Sequence, residues 1–558
     1  MNTEETNVDA PSREDPGPED RDLDQDPAPA PAPLPADADA TEADVSEADL
    51  DQEEQEKQPM TGGGERAAEA PAAGGEAEKN GSVKLKIPEE KEDDDEEEVK
   101  FTGLSKEELL RVAGTPGWVR TRWALLVVFW LGWLGMLIGS VLIILHAPRC
   151  RELPSTRWWN HGALYQVGDV RAFSDTHNLR GVEQKLELLA QLKVSGLVVG
   201  PVHEAPADDA LGLRFEEVSS EAGSLEQFKS LIQAAHKRGI SVVLDLTPNY
   251  RGSSGPWFSS SSVTNVAERL KSALVFWLSE GVDGVQLSGP ELVSKEAPSL
   301  WADIRAIVQN GTEGRPGRLL IGVTEQSSAE DVSDLLSSTG VDLLISRVLL
   351  SPEADALERA QSVQQLYSNH SQLNLAWSLG GRAKGHLATL GGPALVRLYQ
   401  LLLLTLPGTP VFNYGDEIGL MDEENKFPMM LWDWDDQLNE TLQEERAEQA
   451  SCRKFFRSLS ELRVKERSLM FGDYLLLSNS SSSLAYLRSW DQSTRFLAAF
   501  NWAPDTAVLQ LSDPALPLQA VVVLSTNSSA LPVQSSVALR KLRLGPGQAA
   551  LFSFPYSG

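Results

Sequence analysis

The sequence predicts an α/β protein built in series: one membrane-spanning helix, an eight-stranded (β/α)8 TIM barrel and a C-terminal antiparallel β domain, preceded by a disordered acidic segment. Three observations carry that prediction. Ala124 to Leu145 is a run of 22 residues without a charge. After Trp158, short apolar runs alternate with amphipathic stretches, the pattern of a parallel sheet with crossover helices. The last ninety or so residues carry strand-like runs separated by Pro, Gly, Asn and Ser, with no helical signal.

The acidic segment comes first in the chain. Of a net charge of -32 over 558 residues, residues 1–100 supply most, with 33 Asp and Glu against 9 Lys and Arg. Pro-Ala runs ending at Ala40 and a nearly all-carboxylate block from Glu89 to Glu98 cannot bury enough apolar area to offset their ordering entropy. The expected tail is disordered and self-repelling, and its sign excludes nucleic acid as a partner.

The charge-free run spans about 33 Å at 1.5 Å per residue, enough to cross a hydrocarbon core of roughly 30 Å. A signal peptide is shorter, begins near the N-terminus and ends in small residues; a buried core helix needs only an apolar stripe. Gly135 and Gly139 form a G-x-x-x-G pair, with Gly132 one turn earlier, where a second helix could approach closely. Lys106, Arg111, Arg120 and Arg122 precede the span against Arg149, Arg151 and Arg157 after it, a small bias toward a cytoplasmic N-terminus. Glycosylation sequons point the same way: Asn310, Asn369, Asn439, Asn479 and Asn527 follow the helix, and only Asn80 precedes it. The expected topology is therefore type II, with membrane lipid around the helix and the folded mass outside.

The chain has two cysteines. Cys150 lies five residues past Leu145, within about 17 Å of the bilayer edge, and in an oxidising compartment its mate is Cys452 or another chain. Cys452 sits in a helix-like run whose Phe455, Phe456, Leu459 and Leu462 mark a packed face. Because an internal bridge requires the neck to fold back onto that helix, the expectation is an interchain disulfide through Cys150.

Eight strands are expected, starting at Ala163, Gly196, Ser241, Gly284, Arg318, Asp342, Leu373 and Thr409. Between the second and third, Ser224 and Gln227 make a capping box, and Phe228, Leu231, Ile232 and Ala235 share a face. The terminal β domain begins its strands near Thr494, Ala520 and Gln548. The expected boundaries are 1–100 for the cytoplasmic tail, 101–123 for a juxtamembrane segment, 124–145 for the helix, 146–158 for an extracellular neck, 159–466 for the barrel and 467–558 for the β domain.

The segment GSLEQFKSLIQAAHKRGISVVLDLTPNY, ending at Tyr250, resembles the third βα region of α-amylase-type glycoside hydrolases, and TLPGTPVFNYGDEIGL, from Thr405, resembles their eighth-strand region. With the single span and the juxtamembrane cysteine, the whole chain resembles the heavy chains of heteromeric amino acid transporters. The resemblance implies an amylase-type barrel plus a β domain, a multi-span light chain that carries the transport path, and one disulfide between the two chains at the plasma membrane. A retaining glycosidase needs a carboxylate nucleophile faced by a carboxylic acid. Against the amylase pattern D-G-F-R-x-D, this chain has Gln286 for the Arg and Ser288 for the nucleophile; Val323 stands for the acid, with Glu325 two positions on. Ala383 replaces the transition-state Asp, and Tyr250 the His after Asp245 and Asn249. No catalysis, cofactor or metal is expected. An adhesion or receptor-like ectodomain with a signalling tail, binding adhesion receptors, is the alternative, and a membrane-anchored α-glucosidase is the one the residues argue against.

Overall fold

The computed structural model describes residues 105–558 apart from 148–149, 256, 259–261, 312–316, 351–354, 424–425, 433–439 and 557–558. The expected acidic tail, Asn80 and Asn439 lie outside the described residues. The chain divides into two units at Gly114 and Thr115. In the first, Lys106–Ala113 forms a short helix opened by a capping box in which Ser105 and Glu108 bond each other's backbone N–H. In the second, a helix runs from Pro116 to His146, all of its hydrophobic residues exposed. It begins eight residues before the charge-free run because Pro116 supplies a preset first turn, and Arg120, Arg122 and the Trp residues beside them continue the same helix. Its charge-free part, 124–145, is apolar on every side, and among the described residues it is the one helix long and apolar enough to cross a membrane.

All eight barrel strands form where the apolar runs place them: β1 Ala163–Val167, β2 Val194–Val199, β3 Ser241–Asp245, β4 Gly284–Ser288, β5 Leu319–Val323, β6 Leu343–Ile345, β7 Ala376–Trp377 and β8 Thr409–Asn413. Each pairs in parallel with its neighbours in chain order, and β1 pairs β8. A parallel bridge from Leu344 to Leu375 joins β6 to the start of β7 and closes the ring. Closure leaves no free edge, so alternate residues of each strand point inward or toward the helices. Leu164, Val198, Val243, Ile321, Leu343 and Val411 form the inner cluster. Tyr165, Leu197, Val199, Val242 and Leu244 join the larger core under the helices.

The helix Leu225–His236 shows how the outer layer is built. Ser224 and Gln227 make the expected capping box, worth about 1 kcal/mol. Phe228, Leu231, Ile232 and Ala235 are its buried face. Near the C-terminal end, Glu440–Lys465 buries Cys452, Phe456 and Leu459 on one stripe.

Six strands form the antiparallel sheet of the β domain: β9 Asp473–Asn479, β10 Ser483–Ser489, β11 Arg495–Asn501, β12 Gln519–Ser525, β13 Ser536–Ala538 and β14 Ala549–Phe554, in the order β9-β10-β11-β14-β12-β13. Both faces of the central strands are covered. Leu484, Tyr486, Phe496, Ala498 and Phe500 join the barrel's core. Ala485, Leu487, Leu497 and Ala499 build a second core on the far side. Two buried guanidinium groups fasten the junction. Arg463 donates from Nη1 to the carbonyls of Leu404 (2.7 Å) and Leu406 (3.2 Å) and from Nη2 to Gly408. Arg488 donates to the carbonyls of Thr405 and Gly472, each at 2.9 Å. The carbonyls of Leu404 and Thr405 belong to the last turn of the helix Val396–Thr405, where the helix leaves its own acceptors unused and favours cations.

Candidate functional site at the barrel mouth and the neck

The C-terminal ends of the strands are where barrels of this kind place chemistry. The inward parity that buries Leu164, Val243 and Ile321 carries two residues further to Gln166, Asp245 and Val323, and on β4 it selects Gln286 and Ser288. These residues, with Ala383 and Glu325 from the following loops, line one cavity of about 440 Å3. All four positions singled out from the amylase pattern, Gln286, Ser288, Val323 and Ala383, thus meet at the same mouth.

Gln286 is the hub of a buried amide chain. Gln166 donates to its Oε1 at 3.0 Å, and its Nε2 donates to Asp245 Oδ2 at 3.0 Å. The other oxygen of Asp245 accepts from the N–H and hydroxyl of Thr247, at 2.8 and 2.6 Å. Burial raises the carboxyl of Asp245 above its ordinary range, and the charge of Arg382 and these hydrogen bonds oppose the rise. Glu325 is half exposed and paired with Lys384 and, at 3.4 Å, with Arg347. Asn249 is spent on the loop beside it, donating to Asp208 and Ser254 and accepting from the Asp208 N–H.

Sequence reasoning does not single out Trp257, which lies in the loop after Asn249 and also lines this cavity. Its side chain is completely buried, its backbone adopts φ of 58°, and its indole N–H donates to the carbonyl of Ser288 at 2.8 Å. A bulky residue held in the left-handed region reflects strain that surrounding contacts must offset. The pairing of Glu325 with Lys384 was missed too, since it joins two loops far apart in the chain.

At the neck, Cys150 is exposed and Cys452 buried, both as free thiols. Burial pushes the Cys452 thiol up to about 11, while Gln400 donates to its sulfur at 3.3 Å. Arg151, next to Cys150, is anchored on the β domain: its side chain bonds Asp473 at 2.8 Å and lies 4.4 Å over the ring of Trp490, and its backbone N–H donates to Asp491 at 3.2 Å. Gly132, Gly135 and Gly139 leave open notches on the long helix, with no atom near the Cβ that each lacks. Asn310, Asn369, Asn479 and Asn527 are all exposed.

A closed (β/α)8 barrel carrying an antiparallel sheet at its end defines an amylase-type protein. Solved structures agree on the fold: trehalulose synthase MutB from Pseudomonas mesoacidophila superposes with a TM-score of 0.57 at 17% identity, covering 72% of this chain and all of that one. Trehalose-6-phosphate hydrolase from Bacillus licheniformis gives 0.57 at 15% identity with the same coverage. Residues 171–265 match the family described as alpha amylase, catalytic domain, and residues 86–165 match solute carrier family 3 member 2 N-terminus. Amino acid transporter heavy chain SLC3A2 of Oryctolagus cuniculus is 45% identical over 85% of this chain and 92% of its own length, and that of Mus musculus 43% over 85% and 93%. Amino acid transporter heavy chain SLC3A1 of Homo sapiens is 22% identical over 77% of this chain and 82% of its own. The chain belongs to the amino acid transporter heavy chains of the SLC3A2 kind.

Proposed function

We propose that this chain is the non-catalytic heavy subunit of a heteromeric amino acid transporter. It sits in the plasma membrane as a single-pass type II glycoprotein with a cytoplasmic N-terminus. It stabilises and delivers a multi-span light chain, joined to it by a disulfide at Cys150 and by non-covalent contacts. The observation that carries the reading is the family membership over 85% of the chain together with one apolar helix. A single helix encloses no aqueous path, so transport belongs to the partner. The exposed thiol beside that helix, against a second thiol buried under Gln400, supports Cys150 as the linking residue. Helix packing at Gly132, Gly135 and Gly139 would add to the hold.

The mouth supports the loss of catalysis. Ser288 and Ala383 offer no carboxylate, Gln286 binds Asp245 where the amylase pattern has an Arg, and Glu325 is committed to two cations. Trp257 closes the wall beside Ser288. The test is a non-reducing gel of the chain co-expressed with a candidate light chain. Cys150→Ser should abolish the reducible heterodimer band yet leave substantial surface delivery and uptake, and Cys452→Ser should leave the band in place. A band that survives Cys150→Ser and vanishes with Cys452→Ser would overturn the assignment.

A further inference from the structure

Asn527 begins the sequon Asn527-Ser528-Ser529 on the turn that follows β12. It stands at the rim of a groove of about 690 Å3 between the barrel and the β domain, within the size range of ligand sites. The barrel side contributes Arg397, Glu445, Glu448 and Gln449, and the β domain contributes Gln548 beside Asn527.

The turn fixes how the Asn527 side chain points. Its backbone oxygen accepts from Ser525 Oγ at 3.0 Å and from the Leu531 N–H at 3.1 Å, and its Oδ1 accepts from the Ala530 N–H at 3.2 Å. That leaves Nδ2, the atom to which a sugar is attached, with no hydrogen bond among the described residues. On the opposite wall, Arg397 donates from Nη2 to Glu448 at 2.6 Å and to Ser451 at 3.1 Å, while its buried Nε–H has no acceptor. Met421 adds an apolar surface that is 47% exposed. The groove therefore offers exposed carboxylates as acceptors and a patch of apolar surface, beside an amide whose geometry is set.

We infer that the N-linked glycan on Asn527 lays its first N-acetylglucosamine units in this groove and bridges the barrel to the β domain. Sugar hydroxyls donate to Glu445 and Glu448, and the apolar face of the ring covers Met421. The inference rests on the outward orientation proposed above. It singles out one sequon from the others: Asn479, at the end of β9, lies outside this groove.

The experiment uses the full-length glycoprotein from cells, purified in detergent, with glycan occupancy read by peptide mass spectrometry and stability read as Tm. Ser529→Ala removes the sequon without touching Asn527, and Asn527→Gln removes the acceptor. Each should lower Tm by about 2–4 °C. Ser481→Ala, which removes the Asn479 sequon, should leave Tm unchanged. Trimming the wild-type glycan to its single innermost sugar should retain most of the stabilisation. The inference is overturned if Asn527 is occupied but neither substitution moves Tm, or if Asn527 is bare while Asn310 and Asn479 carry sugar. Bare asparagines at every outer sequon would instead overturn the orientation, and the inference with it.

Discussion

Replacing Arg463 should loosen the joint between barrel and β domain, and its size follows from three carbonyls. Arg463→Ala strands the oxygens of Leu404, Leu406 and Gly408, which the guanidinium holds in a site shut off from solvent. Each buried acceptor left unpaired costs about 1–3 kcal/mol, and the lost aliphatic stem leaves a cavity besides. An opposing effect exists. Burial and the nearby Arg488 charge lower the Arg463 guanidinium to about 9, so removing it relieves desolvation and repulsion. Three carbonyls outweigh one relieved charge, giving a net loss of about 4 kcal/mol for Arg463→Ala. Arg463→Met keeps the stem volume and should lose only about 2 kcal/mol, since buried charges exchange for apolar groups at reduced cost. Calorimetry of the purified chain should show Tm falling by roughly 5–10 °C for the alanine variant and by less for the methionine variant. A methionine variant as stable as the parent would refute the reasoning, because the carbonyls would then not depend on the guanidinium.

The buried Asp416 predicts a pH dependence. Burial raises its carboxyl from 3.8 to about 7, opposed by His386 and by the N–H groups of Leu387 and Asn413 and reinforced by Glu417. A carboxyl whose pKa is higher folded than unfolded contributes stability that is complete below about pH 4 and lost as pH rises through about 7. This contribution should therefore fall between those values with a slope of up to about 1.4 kcal/mol per pH unit, and Asp416→Asn should flatten the fall; an unchanged pH profile would count against it. The purified barrel with its β domain should not hydrolyse α-linked maltosides, and turnover abolished by changing Asp245 or Glu325 would contradict the inactive-mouth reading. Deglycosylation of surface protein should lower its mass, and Asn80→Gln should not change that shift; glycan lost with Asn80 would invert the topology.

The barrel was legible because buried parallel strands read as short continuous apolar runs, such as Leu197, Val198 and Val199, between helices with clear caps such as Ser224. The long helix was legible from the absence of charge, though its start at Pro116 was not, because helical structure continues past the apolar run. The positions Gln286, Ser288, Val323 and Ala383 were found through a family pattern; strand parity gathers the first three at the mouth, and the loop after β7 brings Ala383 to it. What stayed hidden depends on distant partners. Arg463 and Arg488 look in the sequence like solvated charges, and only the meeting of barrel and β domain makes them buried. One signal was available for Arg488: it follows Leu484 and Tyr486 at strand spacing on the face that packs against the barrel. Trp257 carried no signal at all, since an adjacent aromatic pair, Trp257 and Phe258, in a Ser-rich loop does not say which ring will lodge inside.

The anchored Arg151 makes the neck a mooring without slack. One peptide unit, about 3.8 Å of chain, separates Cys150 from a residue gripped by Asp473, Asp491 and Trp490. The sulfur therefore stays within one residue's reach of the β domain. Whatever bonds to it is held close to the β domain, so a rotation of the outer mass becomes a pull on that bond.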